Sequence, residues 1–389
     1  MMMQTIDRSL TDKLKTYLSV FPAVAILGPR QCGKSTLVKN FTKNTENTLF
    51  VDLQNEADLA KLENPLLFFD ANTTKLICLD EIQLTPNLFN TLRSVIDLDR
   101  RNGRFILLGS ASKELLQKTS ETLAGRIGLL YLTPFTVEEL YTTTNYKQII
   151  YWMRGGFPDS YLALSDENSS IWRDNYIKTY IERDIPQLGF NIPSLQLKRF
   201  LMMCAHNQGQ LINYSKLGES LNVTHPTIKR YIDLLEQTFI VRTLQPFELN
   251  IKKRLVKAPK VYIRDSGILH QLLAITSYNN LMGHPVFGSS WEGLVIENCI
   301  TAYSDWQYYF YRSAIGEEID LILEKGTVRI AIECKAAAAP KLSKGFWKAI
   351  ETIKPTQTFV IIPTSENYSI ASGVTICGLE EFLQMKIIE

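Results

Sequence analysis

The sequence predicts an α/β chain: a mostly parallel sheet first, a helical middle, and a second α/β domain at the end. Three observations predict it. Short apolar runs at Ala23–Leu27, Thr48–Leu53, Lys75–Leu79, Arg104–Leu108 and Gly128–Leu132 alternate with helical patterns, which implies crossover connections and parallel strands. From about residue 136 to 250 the pattern is nearly all helical, interrupted at Gly155-Gly156-Phe157-Pro158. From about 258 onward helix and strand mix again, with a hairpin of Ile319–Leu323 and Val328–Cys334 around Lys325-Gly326. At 389 residues the chain has room for two or three domains, and the boundaries read as 1–140, 141–250 and 251–389.

Composition narrows the classes. Hydrophobic residues make up 45% and charged residues 21%, a globular balance rather than a disordered one. The formal net charge is only +2, so any nucleic-acid surface must be a local patch. No apolar run approaches the roughly 18–20 residues of a membrane span. Residues 1–20 lack the apolar stretch of a secretory signal; Leu10, Leu14 and Leu18 instead mark an amphipathic opening helix. Six cysteines, Cys32, Cys78, Cys204, Cys299, Cys334 and Cys377, form no C-x-x-C pair. They read as buried free thiols of a cytoplasmic protein, and the four dispersed histidines suggest no zinc site.

Gly28-Pro29-Arg30-Gln31-Cys32-Gly33-Lys34-Ser35-Thr36 is a G-x4-G-K-S sequence between a buried strand and a helix. Glycines at these positions let backbone N–H groups wrap a phosphate at a helix N-terminus. Lys34 would reach the β- and γ-phosphates of ATP, and the Ser35 hydroxyl would ligate Mg²⁺. An apolar strand then ends in Asp80-Glu81: Asp80 suits a metal held through water, and Glu81 suits a base for the attacking water. The adjacent glutamate and the lack of an N-K-x-D motif favour ATP over GTP. Ser110, ending the run from Arg104, either senses the γ-phosphate or caps a helix over Ala111–Lys118. Arg126, before the last strand, is a candidate arginine finger acting on a neighbouring copy; the plain alternative is a solvated or core-bridging arginine. Arg93 and Arg101 are weaker candidates.

Residues 195–247 read as a winged helix-turn-helix, with helices over Lys198–His206, Ser215–Leu221 and His225–Gln237. Thr224 would cap the third helix, Ile228, Ile232 and Leu235 would face inward, and Lys229 and Arg230 would be free for DNA. Lys252, Lys253, Arg254, Lys257, Lys260 and Arg264 follow with no acid among them. Such a run either neutralises phosphates or is a solvated linker.

Near the end, Asp320 and Glu333-Cys334-Lys335 form a D-x12-E-x-K pattern. Side chains alternate along a strand, so Glu333 and Lys335 share a face. A two-residue turn at Lys325-Gly326 would set Asp320 opposite Ala331 on that same face. Two carboxylates and a lysine suit a metal site for phosphodiester chemistry; a salt bridge on an exposed hairpin is the plain alternative. A preceding helix offers Glu292 or Glu297 as a further ligand. Helix acid, strand acid and E-x-K together form a restriction-endonuclease-like signature.

These stretches, with Leu123-Ala124-Gly125-Arg126, Gly155–Pro158, Tyr180–Asp184 and Pro259–Gly267, resemble the prokaryotic AAA-type ATPases related to the archaeal ATPase group. Those proteins carry a C-terminal domain of unknown function. The resemblance spans nearly the whole chain. It implies a P-loop ATPase core, a winged-helix segment and a restriction-endonuclease-like tail, acting with ATP and Mg²⁺ on nucleic acid. The expectation is therefore an ATP-hydrolysing enzyme coupled to DNA binding or cleavage, with a homo-oligomer if Arg126 acts in trans. The alternatives are a nucleotide-switched interaction protein whose nuclease-like domain is silent, and an ATP-gated winged-helix regulator.

Overall fold

In a computed structural model that describes residues 6–43, 45, 47–110, 122–248 and 256–385, the five apolar runs become β1 (Ala23–Leu27), β2 (Thr48–Asp52), β3 (Leu76–Asp80), β4 (Phe105–Gly109) and β5 (Ile127–Tyr131). All pairings are parallel, in the order β2-β3-β4-β1-β5. Alternation along β1 explains the layering. Ala23, Ala25 and Leu27 face one apolar core, with Phe69, Leu92 and Phe105. Val24 and Ile26 face the other, with Leu14, Leu37 and Ile106. Burial on both sides is why these strands read as continuous apolar runs. The expected opening helix spans Leu10–Val20 and buries Leu14.

Asp80 and Gly109 belong to their strands rather than following them. The ladder itself therefore sets where the Asp80 carboxylate emerges.

Contacts divide the chain into two units, Met1–Phe135 with Gln237–Phe239, and Thr136–Glu236 with Ile240–Glu389. In the second unit the expected helices span Ser194–His206, Tyr214–Leu221 and His225–Gln237. Thr224 Oγ1 accepts a bond from the Thr227 amide at 3.4 Å, at the start of the third helix. A small antiparallel sheet completes the winged helix in the order β6-β8-β7, with β6 (Gln210–Leu211), β7 (Val241–Leu244) and β8 (Lys260–Ile263).

The C-terminal sheet has six strands: β9 (Gln307–Arg312), β10 (Glu318–Lys325), β11 (Val328–Cys334), β12 (Gln357–Ile362), β13 (Asn367–Ala371) and β14 (Val374–Gly378). Their order is β13-β14-β12-β11-β10-β9, parallel at β11-β12-β14 and antiparallel elsewhere. The hairpin differs from expectation in register. Lys325 pairs with Val328, so Gly326-Thr327 forms the turn, and Ala331 lies opposite Ile322 rather than Asp320. Gly326 takes φ 60°, a conformation that costs glycine little. The shift is two residues, so Asp320 keeps the face shared with Glu333.

Two segments singled out by sequence meet here. Asp265 accepts bonds from the Ile268 amide at 2.9 Å and the Gly156 amide at 2.8 Å. Gly155 has φ 74°, and a Cβ there would come within 2.1 Å of Asp265 Oδ1. Replacing it strains the backbone and displaces a buried carboxylate. Gly155→Ala is expected to lower stability by about 2–4 kcal/mol, measured by denaturant unfolding of the full chain; a loss below about 1 kcal/mol would contradict this account of the junction.

Candidate functional site

The glycine-rich loop leaves the sheet at the end of β1. Leu27 pairs with Gly109 of β4 and with Tyr131 of β5, so Ser110 emerges beside the loop. A Cβ on Gly28 would lie 2.1 Å from the Leu132 carbonyl oxygen, so only glycine permits this approach. Gly33, at φ 98°, turns the chain into the helix Lys34–Thr42. Lys34 is buried, and its Nζ donates to the Gly28 and Pro29 carbonyls at 3.1 and 2.8 Å. The ammonium is thus held across the loop where phosphates would displace those carbonyls.

Ser35 Oγ donates to Asp80 Oδ2 at 2.5 Å, while Asp80 Oδ1 accepts from the Glu81 amide at 3.0 Å. Burial raises the Asp80 pKa above the ordinary carboxylate value, against the lowering effect of the Ser35 bond. A buried carboxylate in contact with a hydroxyl at the loop mouth fits Mg²⁺: both are hard oxygen donors, and a cation would relieve the desolvated charge. Glu81 adopts φ 57°, ψ 45°, a left-handed conformation uncommon outside glycine and frequent at functional positions. The Gln83 side-chain amide donates to its carboxylate.

Arg126 is placed differently. It precedes β5, and its carbonyl accepts from the Ala23 amide at 3.1 Å, so it lies at the opposite end of the sheet from the loop, about 16 Å along a five-residue strand. Its guanidinium binds Asp97 through Nε at 2.7 Å and Nη2 at 2.9 Å. Arg126 therefore does not join the site of its own chain. Arg93 lies 4.0 Å from the same Asp97, and Arg101 donates to the Thr73 carbonyl. The helix expected over Ala111–Lys118 lies outside the described residues.

Sequence reasoning missed Arg8. It is 8% exposed and donates to the Cys32 and Thr133 carbonyls at 2.9 and 2.6 Å, bracing the loop from the N-terminal segment. No local pattern marks such a long-range contact.

In the second unit, Lys229, Arg230 and Lys257 are exposed, whereas Lys252, Lys253 and Arg254 lie outside the described residues. The expected basic run is corrected at Lys260 and Arg264, which are interior ion-pair partners rather than a phosphate-facing surface. Arg264 and Arg242 both bind Glu297. Against the upward push of burial, these two guanidiniums pull Glu297 down to about 2. Lys260 is 2% exposed. Its Nζ lies 3.0 Å from Glu292 Oε1, 2.9 Å from Glu318 Oε1 and 3.5 Å from Asp320 Oδ1.

Glu292 and Glu297 lie on one helix, Phe287–Ala302, five residues and so about 140° apart around its axis. They serve different partners, and Glu292 is the one beside Asp320. Tyr262 donates to Glu292 Oε1 at 2.6 Å. Asp320 Oδ2 accepts from the Cys334 amide at 2.9 Å, and Lys335 Nζ donates to Glu333 Oε1 at 2.6 Å. Glu333 Oε2 is buried with no hydrogen-bond partner. Burial, then the nearby Asp320 charge, raises the pKa values of both Glu292 and Glu333. The structure thus gathers Glu292, Asp320, Glu333 and Lys335, and sets the Lys260 ammonium among the first two.

All six cysteines are buried and unpaired. No helix among the described residues is long and apolar enough to cross a membrane.

Comparison with known proteins adds family. Residues 20–141 match an AAA domain, 112–279 a domain of unknown function (DUF8612), and 287–382 a domain of unknown function (DUF4143). Uncharacterized proteins of Mycobacterium bovis and Mycobacterium tuberculosis are each 35% identical over 376 residues, covering 97% of this chain and 84% of their own. Among solved structures, a Walker-type ATPase of Pyrococcus abyssi aligns with 69% of this chain and 96% of its own at 15% identity and a TM-score of 0.46. The chain belongs to the family of these mycobacterial proteins, with an AAA domain near its start and a C-terminal domain of unknown function.

Proposed function

We propose that the chain hydrolyses ATP with Mg²⁺ and uses the cycle to control contact with DNA. The observation that carries the first part is the Ser35–Asp80 contact at the mouth of the loop, with Glu81 beside it. Residues Gly28 to Thr36 wrap the phosphates, Lys34 neutralises the β- and γ-oxygens, and Ser35 with Asp80 holds the metal. When bound, Mg²⁺ supplies positive charge to those oxygens. Glu81 takes a proton from the attacking water, whose oxygen bonds to the γ-phosphorus as the bond to the β–γ bridging oxygen breaks. The products are ADP and phosphate. Gln83 positions the Glu81 carboxylate, and Ser110 stands where a hydroxyl can report the γ-phosphate. Arg126 serves a neighbouring copy in an oligomer, once released from Asp97.

DNA contact rests on the exposed Lys229 and Arg230 of the helix His225–Gln237 and on the exposed Lys257, with Lys252, Lys253 and Arg254 included from the sequence pattern alone. For the C-terminal domain, the observation of Lys260 among the acids favours a binding platform over a nuclease using Glu292, Asp320, Glu333 and Lys335. The buried, unpaired thiols support a cytoplasmic setting.

Three outcomes test this. Lys34→Ala should weaken ATP binding on the order of 100-fold, the loss of about two charge-assisted bonds; unchanged affinity by calorimetry contradicts the site. Glu81→Gln should leave ATP binding intact and slow hydrolysis by roughly 10²–10⁴-fold, read as phosphate release. Lys229→Ala with Arg230→Ala should weaken duplex binding and reduce the slope of log K against log salt by about two. An unaltered slope would remove this helix from the interface.

A further inference from the structure

Lys260 comes from β8, which is paired on both edges, with β6 and with β7. Its ammonium is not a side chain that has swung in from solvent. Three acids from two different elements point at it: Glu292 from the helix Phe287–Ala302, and Glu318 and Asp320 from β10. The Phe310 ring closes another side, 5.5 Å from Nζ. Although burial favours the neutral amine, the carboxylates hold Lys260 firmly protonated.

Charge counting shows what else the cluster accepts. Four carboxylates, those of Glu292, Glu318, Asp320 and Glu333, face three cations: Lys260, Lys335 and Arg312, the last 3.6 Å from Glu318. With every carboxylate ionised, the balance is at most one negative charge. Adding a divalent cation would reverse the sign in a buried site, and displacing the Lys260 side chain from the acids would leave its ammonium stranded in the interior, at a cost of several kcal/mol. Among the described residues, no group of three or more His, Cys, Asp or Glu side chains is arranged to hold a metal ion.

We infer that Lys260 is the resident cation of this cluster, standing where a divalent metal would otherwise bind, and that the folded chain takes no Mg²⁺ or Mn²⁺ there. The acids and the lysine form an ionic lock between the winged-helix sheet and the C-terminal sheet. The inference rests on the reading of the C-terminal domain as a platform that does not cleave.

The experiment uses the full chain carrying Lys34→Ala and Ser35→Ala, without nucleotide, so that the phosphate loop does not compete for metal. Mn²⁺ is titrated and free ion followed by electron paramagnetic resonance. The expected result is no site tighter than millimolar in this parent, and one new site, at least tenfold tighter, on adding Lys260→Ala. A sub-millimolar site in the parent that disappears with Asp320→Asn overturns the inference, as does a folded Lys260→Ala chain that gains no site. If Lys260→Ala fails to fold, Lys260→Met alone and with Asp320→Asn is compared by thermal unfolding. Recovery of stability in the double variant supports the lock, and further loss overturns it. Plasmid cleavage in the same Mn²⁺ series separates the two readings: cleavage lost with Asp320→Asn ends the platform reading, whereas Mn²⁺ binding without cleavage ends only the lock.

Discussion

Strand β1 is the constraint on which the first unit depends. It is buried on both faces and paired on both edges, with no residue more than 3% exposed. Such a strand has no freedom to slide, because a one-residue slip would exchange the residues of its two apolar cores. The backbone is therefore delivered to one point, and Gly28 leaves the sheet against the Leu132 carbonyl with no space for a Cβ. From there Gly33 starts the helix, and the placement of the amide groups proposed to bind phosphate follows from that geometry. Asp80 and Ser110 arrive at the same edge because parallel strands end together. The chemistry of the loop is thus a consequence of sheet order.

The second unit solves a different problem, the burial of charge. One face of the winged-helix sheet carries Arg242, Lys260 and Tyr262, with Arg264 following, and it meets a helix bearing Glu292 and Glu297. Each cation finds a carboxylate, Arg242 and Arg264 sharing Glu297, and removing that glutamate would leave uncompensated interior charge costing about 3–5 kcal/mol. Gly293 belongs to the same junction: a Cβ there would meet the Gln208 amide at 2.3 Å, while Gln208 itself accepts from the Ile263 amide at 2.7 Å.

What the sequence made legible follows from the range of the forces involved. The five parallel strands, the three helices of the winged segment and the phosphate loop depend on periodicity and on neighbours a few residues away, so their bounds were read within one or two residues, except that the first helix starts at Ser194, four residues before the expected Lys198. Asp320 and Glu333 were correctly placed on one face even though the turn was set one residue too early, because side-chain alternation survives a two-residue shift in register. The position of Arg126 relative to the loop was not legible, nor was its pairing with Asp97, since both depend on which end of the sheet a residue meets. Arg8 and Lys260 were opaque for the same reason: their partners lie on other elements, Thr133 for one and Asp320 for the other.

The E-x-K pattern shows most clearly where such reading stops. Spacing along β10 and β11 establishes that the carboxylates and Lys335 face one another, but a cluster of acids is defined as much by its cation as by its ligands. A metal centre and an ionic lock have the same strand pattern. They differ in whether another element supplies a positive charge, and here that charge arrives from β8, 60 residues before Asp320 in the sequence. The run Lys252 to Arg264 looked uniform because charge sign alone was visible. Burial divides it: Lys257 is exposed, whereas Lys260 and Arg264 face inward. An interior lysine among three carboxylates already supplies part of the positive charge that would otherwise be drawn from a divalent ion. The acidic residues alone are therefore insufficient grounds for a metal-dependent activity in this domain.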